Sequence, residues 1–171
     1  NDFHLNVAGE YVYDGALYAC QNDDAKQRRS KRAVWGMAAI LTVAVAAGGC
    51  IPAPGMQNCF YVLLPYLGEF LGAASVIWAL AKLGMDWGTV REYNYKKSVA
   101  VLPVRTAVTA VFSLLGIVCE LIFFFVNDHA GQTFFALLYV LLKLIALLSV
   151  LVLRAEIMQA EWDKLPKKNN F

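Results

Sequence analysis

Four apolar segments of membrane-spanning length constrain this chain more than any other feature of its sequence. They cover Ala33–Cys50, Phe60–Leu80, Val104–Val126 and Thr133–Leu153. Each is about 20 residues long, which at about 1.5 Å per residue crosses a hydrocarbon core of about 30 Å. A soluble core could bury one such segment, but not four in succession. The sequence therefore predicts an all-α integral membrane protein, a bundle of four transmembrane helices.

Positive charge is confined to one side of these segments. The chain has 15 Lys and Arg residues, and all except Lys143 lie before the first segment, between the second and third or, for Arg105, at the start of the third, or after the fourth. The two remaining connections, residues 51–59 and 127–132, contain neither Lys nor Arg. Because flanks rich in Lys and Arg stay in the cytoplasm, we expect both termini to be cytoplasmic in a multi-pass protein of the plasma membrane.

The domain organisation that follows is one transmembrane domain with two polar tails. Residues 1–32 form an N-terminal tail, residues 33–153 the four-helix domain, and residues 154–171 a C-terminal helix and tail. We expect the fourth helix to continue from Arg154 to Lys164 and to end before Pro166, because proline cannot extend a helix.

The N-terminal tail carries a turn signal. Asp14-Gly15 separates Tyr11-Val12-Tyr13 from Ala16-Leu17-Tyr18, and Asp-Gly between β-prone stretches favours a two-residue hairpin turn. We therefore expect a short β-hairpin-like segment. An isolated hairpin is marginally stable in water, so it should dock on the connection Trp87–Leu102, where Tyr93 and Tyr95 offer an aromatic surface.

Small and polar residues recur on each segment at alternating three- and four-residue steps, which places them on one helix face. In lipid, such residues mark where helix backbones approach closely, and Gly68, Gly72 and Gly116 are the main candidates. Short outer loops should place the first helix beside the second and the third beside the fourth. The predicted packing faces are Ala39, Thr42, Ala46 and Gly49; Pro65, Gly68, Gly72, Ser75 and Ala79; Thr106, Thr109, Ser113, Gly116 and Glu120; and Ala136, Tyr139, Lys143 and Ala146.

Three ionisable residues lie inside the predicted spans. Counted from the outer boundary, Glu69 is about 13 Å deep, Glu120 about 10 Å and Lys143 about 16 Å. Because helical side chains tilt toward their own N-terminus, Lys143 should lean outward and Glu120 inward. We therefore expect Lys143 to pair with Glu120, with Glu69 nearby. Three interpretations stay open: an ion pair that fixes helix register, a proton, ion or polar-substrate site, and a pair with a helix of another subunit.

Two of the four cysteines bracket the first outer loop. Cys50 and Cys59 would face an oxidising compartment, so a disulfide between them is expected if the helix ends bring the two Cα atoms within about 7 Å. Quinone-coupled disulfide-forming membrane proteins are similar in having four helices and both termini inside. They use a Cys-x-x-Cys pair and a second outer cysteine pair, which this chain lacks. A membrane thiol oxidoreductase is therefore the least favoured function.

No other motif points to catalysis, so we expect no enzyme, no catalytic residues and no cofactor. His4 and His129 would lie on opposite sides of the membrane and could not share a metal ion, so no metal site is predicted. A basic cluster before the first helix marks the cytoplasmic side and could attract anionic lipid headgroups. It lacks the aromatic context of nucleic-acid binding, so no nucleic-acid partner is expected. The cluster is Lys26, Arg28, Arg29, Lys31 and Arg32.

The leading functional interpretation is an interaction or accessory protein that assembles in the lipid bilayer as a homo-oligomer or with another membrane subunit. The alternative is a small proton- or ion-coupled transporter or channel that uses Glu69, Glu120 and Lys143. Because four helices enclose little more than their own side chains, such a pathway would require more than one copy. The sequence indicates no particular substrate.

Overall fold

The computed structural model describes residues 3–5, 11–13, 16–21, 23–84, 87–127 and 133–165, and it confirms the four-helix membrane bundle. Four helices in this part of the chain are long and apolar enough to span a membrane. In chain order the elements are β1 (Phe3–Leu5), β2 (Tyr11–Tyr13), β3 (Leu17–Cys20), α1 (Asp24–Cys50), α2 (Pro54–Asn58), α3 (Phe60–Leu83), β4 (Thr89–Arg91), α4 (Glu92–Lys97), α5 (Leu102–Val126), α6 (Thr133–Met158) and β5 (Trp162–Lys164).

The four long helices, α1, α3, α5 and α6, define two ends of the bundle. At the basic end α1 and α5 begin and α3 and α6 finish; Arg105 and Arg154 lie there. At the opposite end α2 connects α1 to α3. α1 packs extensively on α6, α5 packs on both α3 and α6, and α1 meets α3 over a smaller area. Both predicted neighbour pairs are therefore present, and α3 and α6 lie diagonally across the bundle.

The predicted packing faces of α5 and α6 are buried, and that of α3 is buried in part: Pro65 and Ala79 are buried, whereas Gly68, Gly72 and Ser75 are half-buried. Every predicted residue of the α5 and α6 faces is buried. On α3, Gly68 lies against the ring of Phe112 and Gly72 against Thr109 of α5. These glycines let the two backbones approach, as expected for helices in lipid.

The predicted packing face of α1 is wrong. Ala39, Thr42 and Ala46 are exposed on the outside of the bundle, although Gly49 does face Tyr66 of α3. A different face of α1, on which branched and small residues both occur, packs against α3 and α6 instead. The buried face of α1 consists of Val34, Ala38, Leu41, Ala44, Val45 and Gly48.

A three-stranded antiparallel sheet covers the basic end, with β3 between β4 and β5. Tyr18 pairs with Val90 on one side and with Lys164 on the other. Its ring stacks on that of Tyr95, with centroids 4.1 Å apart and planes 4° from parallel. This stack confirms that the N-terminal tail docks on the connection between α3 and α5. Tyr93, the second tyrosine predicted to form the docking surface, is instead 56% exposed.

The strand pairing in the tail differs from the predicted hairpin. A hairpin-like segment is present, but β2 pairs with β1, in the register Phe3↔Tyr13. β3 pairs with β4 and β5, and the predicted turn, Asp14-Gly15, lies outside the described residues. The physical reason is that β3 gains two partner strands and an aromatic stack on the bundle, which a hairpin in water could not provide.

The C-terminal segment also departs from its prediction. α6 ends at Met158, and residues 162–164 form β5 rather than more helix. In this conformation the Trp162 ring packs against Trp87 and Tyr95, with centroids 6.3 Å and 6.0 Å away. Packing of the indole and the backbone pairing of β5 with β3 together favour the strand over the helix.

Candidate functional site

A buried ion pair occupies the interior of the bundle. Lys143 of α6 is 2% exposed, Glu69 of α3 is 0% exposed, and the ammonium group contacts the Glu69 carboxylate directly. Ser113 Oγ donates a second hydrogen bond to the other carboxyl oxygen, at 2.6 Å. Each charged group therefore has a partner inside a single copy of the chain.

The prediction that Lys143 pairs with Glu120 is wrong, because the lysine reaches across the diagonal to α3. Its stem passes Gly116 of α5, where a Cβ atom would lie 3.6 Å from Lys143 Cε. A larger side chain at this position would occupy the path of the stem. Gly116 thus serves as a gap for the lysine as well as a helix-packing residue.

Two tyrosine rings flank the ammonium group. The distance from Lys143 Nζ to the ring centroid is 4.6 Å for Tyr66 and 5.1 Å for Tyr139. A cation over an aromatic face is stabilised by the ring quadrupole, more strongly when both are removed from water. The Tyr66 hydroxyl lies over Gly49, where a Cβ atom would be 2.0 Å from the oxygen. Gly49 therefore makes room for Tyr66, whose ring stabilises the Lys143 ammonium group.

Glu120 lies apart from this pair, toward the opposite end of the bundle. Its side chain is 0% exposed, and neither carboxyl oxygen has a hydrogen-bond partner within the described residues. The backbone N–H of Gly55 in α2 lies near the carboxyl group, but it does not reach hydrogen-bonding geometry. A Cβ atom at Gly55 would lie 2.2 Å from Glu120 Oε2. The short helix α2 thus closes directly over this acidic group.

Tyr139 lies next to the ion pair. It is fully buried on α6, one turn before Lys143, and its ring centroid is 5.1 Å from Lys143 Nζ. Its hydroxyl has no partner within the described residues. The interior therefore contains a satisfied ion pair and, nearer the opposite end, two polar groups without a hydrogen-bond partner among the described residues.

The predicted disulfide between Cys50 and Cys59 is wrong. All four cysteines are free, and no pair lies at disulfide distance. The loop between the two residues does not run straight from one helix to the next. It folds into α2 and buries Ala53, Pro54 and Gly55 against the bundle, which fixes the two helix ends without a covalent link.

The predicted basic cluster forms the first turns of α1 at the basic end, where its arginines and Lys26 are exposed. Two adjoining surface depressions share Arg28 and Arg32. One, of about 510 Å³, is lined by Ala25, Arg28, Arg29 and Arg32. The other, of about 270 Å³, is lined by Arg28, Lys31, Arg32 and Trp35.

Sequence reasoning missed three features of the site. Tyr66 lies three residues before Glu69, on the same helix face, and this spacing could have revealed its position near the charge. The hydrogen bond from Ser113 to Glu69 and the apolar groove between α1 and α3 depend on helix rotation, for which the sequence gives no signal. Among the described residues, no group of three or more His, Cys, Asp and Glu side chains could hold a metal ion.

Four apolar helices that enclose their own charged groups define a multi-pass integral membrane protein of the four-helix bundle class. No known protein family, no curated protein and no solved structure matches this chain.

Proposed function

We propose that this chain is a non-enzymatic accessory protein that assembles with other membrane subunits, with its basic end in the cytoplasm. The observation that carries the proposal is the enclosure of Lys143, Glu69 and Ser113 within one copy of the chain. These side chains bind one another across the bundle axis, where a transported ion or substrate would otherwise have to pass. The pair thereby favours one helix register, a recognised role of buried polar groups.

The surface proposed for the partner is the sheet at the basic end together with α4. The sheet joins three distant parts of the chain, and its edge strands are β4 and β5. An edge strand offers backbone groups to which another chain can add a strand. On α4, beside this sheet, Tyr93 is 56% exposed and the Lys96 side chain 67% exposed, which adds an aromatic contact and charge.

The test is site-specific photo-crosslinking in native membranes. A benzoylphenylalanine replacement of Tyr93 should give one defined adduct with another membrane subunit or with a second copy of the chain. The same replacement at Phe134, which is 70% exposed at the opposite end, serves as the control and should give no such adduct. The proposal fails if Tyr93 yields nothing, or if both positions yield the same products.

A second candidate, proton-coupled transport by an oligomer, is favoured by one specific observation. Glu120 is a fully buried carboxyl group with no partner in the described chain, and burial of an ionised, unpaired carboxylate is very costly. Such a group can hold a proton inside the membrane. Tyr139 would then relay the proton toward the pair of Glu69 and Lys143.

Reconstituted vesicles separate the two candidates. With a pH-sensitive dye inside and an imposed potential, the accessory-protein proposal expects no proton flux beyond that of empty vesicles. The transport candidate expects flux that Glu120→Gln abolishes and that Glu92→Gln, a change on the exposed helix α4, leaves intact. Absence of flux in the wild-type protein would remove the second candidate, and flux lost with Glu120 would remove the first.

A further inference from the structure

One face of α1 changes from basic to apolar along its length. Its residues are spaced four and three apart, so their side chains lie in one stripe along the helix. Near the basic end this stripe consists of exposed arginines and a tryptophan; farther along it consists of exposed small residues. The stripe is Arg28, Arg32, Trp35, Ala39, Thr42 and Ala46.

The apolar half of the stripe borders a groove of about 330 Å³ between α1 and α3. The buried residue Ala73 lies at its floor, and the exposed side chains of Phe70 and Trp78 form its rim. Thr42 also lines the groove, but its hydroxyl donates to Ala38 O at 2.8 Å. The groove therefore presents almost no polar group to the membrane.

The basic half of the stripe has few neutralising partners among the described residues. Within the described part of the chain, Arg28 and Arg32 have no ion-pair or hydrogen-bond partner. The carboxylate of Glu156 is engaged by Ser30 Oγ at 2.8 Å. The indole N–H of Trp35 is buried and has no acceptor. Arginine side chains bind phosphate oxygens in a bidentate manner, so this surface suits a phosphate group.

The two halves are separated by a distance that fits one leaflet of a bilayer. Ten residues separate Arg32 from Thr42, which corresponds to about 15 Å along a helix and to half of a hydrocarbon core of about 30 Å. On the facing helix, Lys82 Nζ lies 5.2 Å from the Trp78 ring centroid, so α3 adds a cation beside the basic end of the groove.

The charge beside the groove favours a lipid chain over a protein helix as its occupant. The groove of about 330 Å³ is lined by apolar side chains, and exposed arginines lie toward the basic end on the same face of α1. A flexible acyl chain needs only a narrow channel. The exposed arginines at the adjoining surface then select a lipid whose headgroup is anionic.

We propose that α1 and α3 bind one anionic phospholipid of the leaflet at the basic end. Its phosphate lies between Arg28 and Arg32, beside Trp35, and one acyl chain lies in the groove over Ala46 and Ala73. This site is independent of the buried ion pair and of the proposed accessory function, because none of its residues belongs to the ion pair, to the sheet or to α4.

The test uses the full chain in vesicles of equal parts phosphatidylglycerol and phosphatidylcholine, followed by native mass spectrometry. We expect one phosphatidylglycerol molecule per chain to be retained. The double variant Arg28→Gln/Arg32→Gln should lower its retention about 30-fold, given the usual contribution of each basic side chain near anionic lipid. Lys96→Gln/Lys97→Gln removes the same charge from α4 and should leave retention unchanged.

The groove is tested separately with Ala46→Leu/Ala74→Leu, which fills it from both helices. Both positions are exposed, so the fold should persist, and retention of phosphatidylglycerol should fall while Ala155→Leu on α6 has no effect. In the wild-type protein, phosphatidylglycerol with a photoreactive acyl chain should label residues 42–46 or 70–81.

Equal retention of the two lipids would overturn the proposal. So would an arginine double variant that behaves like the lysine control, a filled groove that still retains the lipid, or a protein helix cross-linked in the groove.

Discussion

Lys143 crosses from α6 to Glu69 on the diagonal helix α3, where its ammonium group lies between a carboxylate and two tyrosine rings. Ser113 completes the arrangement with a hydrogen bond to Glu69. The positions depend on one another. A smaller side chain in place of Tyr66 or Tyr139, or a larger one in place of Gly116, would change the path of the lysine side chain. The pair therefore behaves as one unit, and its members should not act additively when substituted.

A double-mutant cycle tests this pairing. Lys143→Met leaves Glu69 as a buried carboxylate without its cation, and we expect it to lower the free energy of unfolding by about 3–5 kcal/mol. Adding Glu69→Gln removes the remaining charge, so Lys143→Met/Glu69→Gln should recover much of that loss. The measurement is the melting temperature and the denaturant midpoint of the protein in mild detergent.

Glu120 provides the matched control for that cycle. Because it has no contact with the ammonium group, Glu120→Gln should not rescue Lys143→Met. If Glu120→Gln restores stability and Glu69→Gln does not, the partner of Lys143 is Glu120 after all, and the packing of α5 against α6 must be reconsidered.

The sequence predicts that the three charges lie at similar depths, but the side-chain tilts select Glu120, the wrong carboxylate, as the partner of Lys143. The depth counts for Glu69, Glu120 and Lys143 differ by only a few Å, less than the length of a lysine side chain. The choice is made by the diagonal position of α3 and by the gap at Gly116, both of which are properties of the assembled bundle.

Among the helices, the contact of α3 with α5 depends most directly on glycine. A Cβ atom at Gly72 would lie 2.6 Å from Thr109 Oγ1 and 3.3 Å from Thr109 Cα, so both a side chain and the neighbouring backbone would have to move. At Gly68 the nearest atoms belong to the Phe112 ring. Gly72 is thus the position at which the backbones themselves set the interhelical distance.

We therefore expect Gly72→Ala to destabilise the bundle, because α3 and α5 must separate locally. The control is Gly36→Ala in α1, where a Cβ atom would meet nothing within 4 Å. Alanine is favoured over glycine in a helix by about 1 kcal/mol, so the control should be neutral or stabilising. Thermal unfolding in one detergent compares the two; equal effects at both positions would contradict a backbone contact at Gly72.

The packing faces were predictable for α5 and α6, in part for α3, and not for α1. On α5 the polar residues Thr106, Thr109, Ser113 and Glu120 share one stripe, and all are buried. On α1 small residues occur on both sides: Ala38 and Gly48 are buried, while Ala39 and Ala46 are exposed. Spacing alone cannot rank two such faces, and in lipid the apolar side chains on either face are equally well solvated.

At the scale of the whole molecule, the chain is polarised along the axis of the bundle. The sheet and all the described Lys and Arg residues except Lys143 belong to the basic end. The opposite end is closed by α2 and bears exposed aromatic residues, among them Phe60 and Phe125. The rule that Lys and Arg remain in the cytoplasm then favours one orientation for the whole protein.

Cysteine labelling in intact cells tests this orientation and the absence of the disulfide together. Cys50 is exposed at the opposite end, and Cys20 is partly exposed in β3 at the basic end. In variants that keep only one of these cysteines, with the others changed to Ser, a membrane-impermeant maleimide should label Cys50 from outside. Cys20 should react only after lysis. Because Cys20 is only partly exposed, its labelling in denaturant serves as the reference for complete reaction. The reverse pattern would place the basic end outside.

In the otherwise unaltered chain, without reductant, Cys50 should also react, because a free thiol and not a disulfide is expected there.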